Sequence, residues 1–269
     1  MSNTFNFNRF GLLVKRQWMD FGKIYLGTLI VLAGIIFAFY SYFIPSTGDH
    51  NILDHDGNLD MRFRYGLFLM LGFLFISITS STYFNNFGQK SRAIHELMIP
   101  ASTFEKFMVG IFYTVVVTLF GYLLVFYLID LGFVKYLNAN LSAFKSAADI
   151  KTPLKMTDGL FDQVMSDQKY LKYCSAFFAF PFLVISLFLL GSIYFNRFHY
   201  IKTAVSVVVF TYAGGYLIYK TGDLLTRNMT RINLHIKEID VLTWIFLVSA
   251  IITLVLWFIT YIRLKEKEV

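Results

Sequence analysis

The sequence predicts an all-α, polytopic membrane protein of six transmembrane helices. It places an interfacial helix at the N-terminus and both chain ends on the cytoplasmic side. Two observations carry this fold class. Six stretches, Ile24–His50 (broken only by Asp49), Tyr65–Gln89, Phe107–Ile129, Tyr173–Asn196, Thr203–Tyr219 and Val241–Ile262, contain no Asp, Glu, Lys or Arg. A helix needs about 20 mostly apolar residues to cross the hydrocarbon of a bilayer. The composition agrees, at 57% hydrophobic and 19% aromatic residues with 31 Phe. That much apolar surface calls for lipid as its solvent. Inside lipid each span must satisfy its own backbone, so the spans are helices. The runs are too long, and too evenly apolar, for the alternating segments of a β-barrel.

In chain order, residues 5–23 come first. Phe10, Val14, Trp18 and Phe21 recur at helical spacing, while Arg9, Arg16, Asp20 and Lys23 fall elsewhere on the wheel. Such a helix lies in the membrane interface, with Arg9, Lys15 and Arg16 at lipid phosphates and Trp18 at the headgroup level. The alternative is a plain extension of the first span. The segment lacks the short apolar core of a cleavable signal. The spans follow at about 24–44, 65–86, 103–129, 173–195, 203–219 and 241–262, all within one transmembrane domain covering residues 1–269. With the N-terminus inside, the inner segments are the shorter ones and carry the higher density of Lys and Arg, which sets an N-in/C-in orientation.

The connections are uneven. Between the first two spans, Asp49, His50, Asp54, His55, Asp56 and Asp60 are close in sequence. They lack the ligand ladder of a calcium loop, and Asp56-Gly57 is a turn signal; no metal is expected. The outer loop 130–172 is long enough to hold short helices, punctuated by Pro153 and Asp158-Gly159. Cys174 is the only cysteine; it is expected as a small packing residue. Ser77, Thr79, Ser80, Ser81 and Thr82 near the inner end of the second span mark a helix–helix seam, or the lining of a polar path.

No ionisable residue falls at mid-span, which argues against an ion-coupled carrier. No P-loop and no catalytic constellation is present, so the chain is not expected to be an enzyme. The net charge of +7 flanks the apolar runs instead of forming a face for nucleic acid, so no nucleic-acid partner is expected.

The most specific local signal lies between the second and third spans. Ser91–Ile99 suits a short amphipathic helix, with Ile94, Leu97 and Met98 on one side and Arg92, His95 and Glu96 on the other. Pro100 stops it, because its ring has no donor and restricts the residue before it. Ser102-Thr103-Phe104-Glu105 then reads as a capping box, in which Ser102 accepts from the amide of Glu105 and Glu105 reaches back to the amide of Ser102. The third span therefore starts at about Thr103, after a rigid corner.

On these residues the chain resembles the permease subunits of type-2 ATP-binding-cassette (ABC) exporters, particularly the small bacterial ones. The resemblance rests on the basic-aromatic start Phe10-Gly11-Leu12-Leu13-Val14-Lys15-Arg16-Gln17, the six-span layout, the run Leu97-Met98-Ile99-Pro100-Ala101-Ser102 followed by Glu105-Lys106, and the basic C-terminal tail. It implies a multi-pass protein of the bacterial inner membrane, working with a second permease and with ABC ATPase subunits that bind ATP and Mg. It also implies that the helix around Arg92–Ile99 is a coupling helix, through which Arg92, His95, Glu96 and Met98 contact the ATPase while Pro100, Ser102 and Glu105 stiffen the corner. The long 130–172 connection and the polar 220–240 segment depart from the family's pattern. A reading of another class is a non-transporting scaffold or assembly factor acting through the 130–172 loop.

Overall fold

The computed structural model describes residues 5–43, 61–84, 98–142, 156–195, 197–226 and 238–267. Every regular element among them is helical. They are α1 (Phe7–Phe43), α2 (Phe63–Tyr83), α3 (Thr103–Ile111), a π-helical stretch (Phe112–Val117), α4 (Thr118–Ala139), α5 (Leu160–Ser166), α6 (Gln168–Phe177), α7 (Phe180–Tyr194), α8 (His199–Thr226) and α9 (Glu238–Lys267). Five helical runs are long and apolar enough to cross a membrane: Phe7–Phe43, Phe63–Tyr83, Thr103–Ala139, His199–Thr221 and Val241–Lys267. Large apolar side chains cover their outsides, among them Phe210, Leu254 and Phe120, a surface suited to hydrocarbon. The chain is a multi-pass membrane protein.

Three boundaries differ from those the sequence predicts. The interfacial helix expected at 5–23 is not a separate element, because α1 runs unbroken for 37 residues through Lys23 and Ile24. Charged residues require water but do not interrupt the backbone ladder, and no proline stands there to do so. The run expected to form a fourth span at 173–195 is broken, with a turn at Phe178 and Ala179 between α6 and α7. Pro181 sits in the first turn of α7, where its missing N–H has no intrahelical partner to lose. That leaves α7 only 15 residues long, short of the roughly 20 a crossing needs. The third helical run continues past residue 129 to Ala139, because Val134 and Leu137 keep its buried face going. Cys174 is exposed on α6 and not packed. The acidic and histidine cluster at 49–60 lies outside the described residues.

The chain divides into two compact units. One comprises Val14–Phe75 and Val117–Lys172. Its core takes Leu32, Ile36 and Tyr40 from α1, spaced four apart on one helix face, with Leu67 and Phe75 from α2, Tyr122, Phe126 and Leu137 from α4, and Leu160 from α5. Close approach is made by glycine. A Cβ on Gly72 would sit 2.9 Å from the Tyr122 ring. Gly121 leaves room for the Tyr25 side chain, whose hydroxyl donates to the Val117 carbonyl at 2.8 Å. That carbonyl closes the π-helical stretch, where the wider ladder disturbs regular backbone pairing. Gly121→Ala is therefore expected to push Tyr25 off its acceptor and cost about 1–3 kcal/mol. Thermal unfolding in detergent checks this, and adding Tyr25→Phe should recover part of the loss by removing the crowded hydroxyl.

The other unit comprises Met1–Leu13, Ile76–Val116 and Tyr173–Val269. In it α9 and α8 both pack along α7, and α9 also meets α3. Phe84, Phe107, Leu189, Ile193 and Leu264 form its core. Four of the hydroxyl residues of α2 sort into two groups here. Ser81 Oγ lies 2.7 Å from His199 Nδ1, and Ser77 Oγ lies 3.4 Å from Tyr200 Oη, so these serines join α2 to α8. Thr79 and Thr82 return their hydroxyls to the carbonyls of Ile76 and Thr79 on their own helix.

Candidate functional site

The corner before α3 is built from the capping chemistry of its own residues. The Ala101 N–H donates to the Ile99 carbonyl at 2.8 Å, closing a tight turn around Pro100. Ser102 is extended, at φ −70° and ψ 150°, which breaks the chain direction and lets α3 begin. The Glu105 N–H donates to Ser102 Oγ at 3.2 Å, and the Ser102 N–H donates to Glu105 Oε2 at 2.9 Å. Both halves of the capping box are present.

The second carboxylate oxygen does something the local pattern does not announce. Glu105 Oε1 accepts the backbone N–H of Asn6 at 2.8 Å and pairs with Arg9 Nη2 at 3.0 Å. Asn6 is itself the cap of α1, its Oδ1 accepting from the Asn8 N–H at 2.9 Å. One carboxylate thus holds the cap amides of two helices, α1 and α3. Both present the positive end of a helix dipole to it, and Arg9 adds a full positive charge. The Glu105 side chain is fully buried while that of Arg9 is 30% exposed. A buried carboxylate is tolerable only when its oxygens are so completely used.

Aromatic rings surround this junction. Phe5 stands edge-on to Phe104 with centroids 6.0 Å apart and touches Phe7 and Phe10. Tyr261 of α9 contacts both Phe104 and Phe107. The first turns of α1, the start of α3 and the C-terminal part of α9 therefore meet at one point. Next to it Met98 is 76% exposed, in the turn that precedes Pro100.

The sequence-predicted residues fall into three groups. Arg9, Ser102 and Glu105 come together, with Pro100 forming the adjoining turn. Lys15, Arg16 and Trp18 lie further along α1: Lys15 is exposed, Arg16 faces Asp20 one turn on at 3.7 Å, and Trp18 packs against Gly22 and Tyr25 of its own helix. Arg92, His95 and Glu96 lie outside the described residues, as does most of the Ser91–Ile99 segment. Among the described residues no group of three or more His, Cys, Asp or Glu could hold a metal ion.

Sequence reasoning missed Asn6 as a partner of Glu105. It also missed a second buried polar centre, in the other unit, where Arg64 and Asp130 pair at 3.2 Å. Arg64 lies just before one charge-free run and Asp130 just after another. Two opposite charges at matching ends of neighbouring spans are the signal that could have found them. No family model, no curated protein and no solved structure matches this chain.

Proposed function

We propose that the chain is the membrane-spanning permease subunit of an ABC transporter, an exporter, driven by ATP hydrolysis on a separate nucleotide-binding subunit. In this reading it crosses a bacterial inner membrane six times, α6 and α7 together making the fourth crossing, with both termini cytoplasmic. The single observation that supports it is the Glu105 junction. A partner that pushes on the segment before Pro100 acts on a corner whose carboxylate also grips the start of α1. The load then passes into two helices at once instead of being absorbed by a loose connector.

Arg92, His95, Glu96 and Met98 are the proposed contacts with the ATPase, and a second permease completes the path. ATP and Mg belong to the partner. A scaffold acting through the 130–172 region has less support, because Leu160 and Phe161 of that region are spent inward, against the core of their own unit.

The test is purification from native membranes in mild detergent. The wild-type chain is expected to carry a P-loop ATPase with it, and charge reversal at Arg92 and Glu96 to release that ATPase. A wild-type chain that brings no such protein refutes the proposal.

A further inference from the structure

In the unit formed by Val14–Phe75 and Val117–Lys172, Arg64 and Asp130 are 2% and 1% exposed. They are bonded to much more than each other. Asp130 Oδ1 accepts from Tyr40 Oη at 2.6 Å and Oδ2 accepts from the Leu160 N–H at 2.7 Å. Arg64 Nη1 donates to the Asp158 carbonyl at 3.1 Å, Nη2 to Gln163 Oε1 at 3.4 Å, and Nε to the Met61 carbonyl at 3.2 Å. Asn138 grips the same stretch from α4, its amide donating to the Thr157 carbonyl and its carbonyl accepting the Thr157 N–H, both at 2.9 Å. Leu160 is 3% exposed, and the Phe161 ring stands edge-on to Phe68 and Phe126.

We infer that residues 157–166 are a strap closed over the end of α1, α2 and α4, and that the Arg64–Asp130 pair is its latch. A buried ion pair contributes little net stability, because water solvates the separated charges nearly as well. Apolar side chains of the same volume would hold the strap at least as firmly. A charged pair whose free valences go to strap backbone groups instead holds one defined closed arrangement, and it gives up little when opening returns both charges to water. Leu160 and Phe161 supply the closing force; the ion pair sets the register and makes the closure reversible. This stands whether or not the chain works with an ATPase.

The test uses the full chain in lipid nanodiscs, where both faces are accessible, in a Cys174→Ala background because Cys174 is exposed. Leu160→Cys reports the strap and Ile36→Cys reports the core beneath it. With Asp130 intact, a membrane-impermeant maleimide should modify neither quickly. Asp130→Asn should raise the rate at Leu160→Cys by about tenfold or more and leave Ile36→Cys protected, since local opening is cheaper than unfolding the unit. If Asp130→Asn yields no folded protein, Asn138→Ala breaks the other tether without touching a charge, and the same rise is expected. An unchanged rate at Leu160→Cys overturns the inference. So does a parallel rise at Ile36→Cys, which would make the pair cement for the whole unit.

Discussion

Glu105→Ala is expected to destabilise the protein by about 2–4 kcal/mol, the cost of removing a buried carboxylate that accepts two cap amides and one guanidinium. The loss should be local before it is global. Hydrogen exchange at the Asn6 and Ser102 amides should accelerate first, because those two donors lose their acceptors. Glu105→Gln should lose roughly half as much, since a carboxamide keeps one acceptor oxygen and turns a donor toward the other amide. Arg9→Ala should cost less than either, because Arg9 is partly solvated and both cap amides keep their acceptor. Thermal unfolding in detergent ranks the three. An order with Arg9→Ala as the largest would mean that the ion pair, and not the double cap, holds the corner.

Gly191→Ala carries the second large effect. A Cβ on Gly191 would overlap Thr203 Oγ1 and stand 2.7 and 2.8 Å from the Thr203 Cγ2 and Cβ. The Cβ is fixed to the α7 backbone, and the Thr203 hydroxyl of α8 is already committed to the His199 carbonyl at 2.7 Å. Rotation of one side chain cannot relieve the clash, so α7 and α8 must separate, at about 2–3 kcal/mol or more. Moving α8 also pulls His199 from Ser81. Thr203→Ala alone should be mild, and the double variant Gly191→Ala/Thr203→Ala should recover much of the loss, a coupling measured by a double-mutant cycle. Full additivity would mean that the two helices are not in contact at these residues.

What the sequence reveals about this protein depends on how local each signal is. The long apolar helices are legible because membrane depth excludes charge, and a charge-free run is visible by inspection. The Ser102–Glu105 box is legible because its partners are three residues apart. The second half of that site is not, because Asn6 and Glu105 are 99 positions apart and nothing near Asn6 advertises its partner. Arg64 and Asp130, 66 positions apart, are hidden for the same reason: each alone looks like a charge at the edge of a loop.

Two of the boundary differences have different causes. At Lys23 a change of composition suggests the end of an element, but helix propagation stops only where the backbone is interrupted, and α1 continues. At Pro181 the composition does not change at all, so a helix start is concealed inside an apolar run. The π-helical stretch Phe112–Val117 contains neither proline nor glycine, and no local pattern announces it.

The proposed permease function requires that a partner's force enter the membrane helices at the Glu105 junction. Met98, exposed beside it, is the position to question. Met98→p-benzoylphenylalanine, irradiated in native membranes, is expected to form an adduct whose partner peptides carry a P-loop nucleotide-binding motif. Adducts with lipid alone, from protein that retains its fold, would contradict the account.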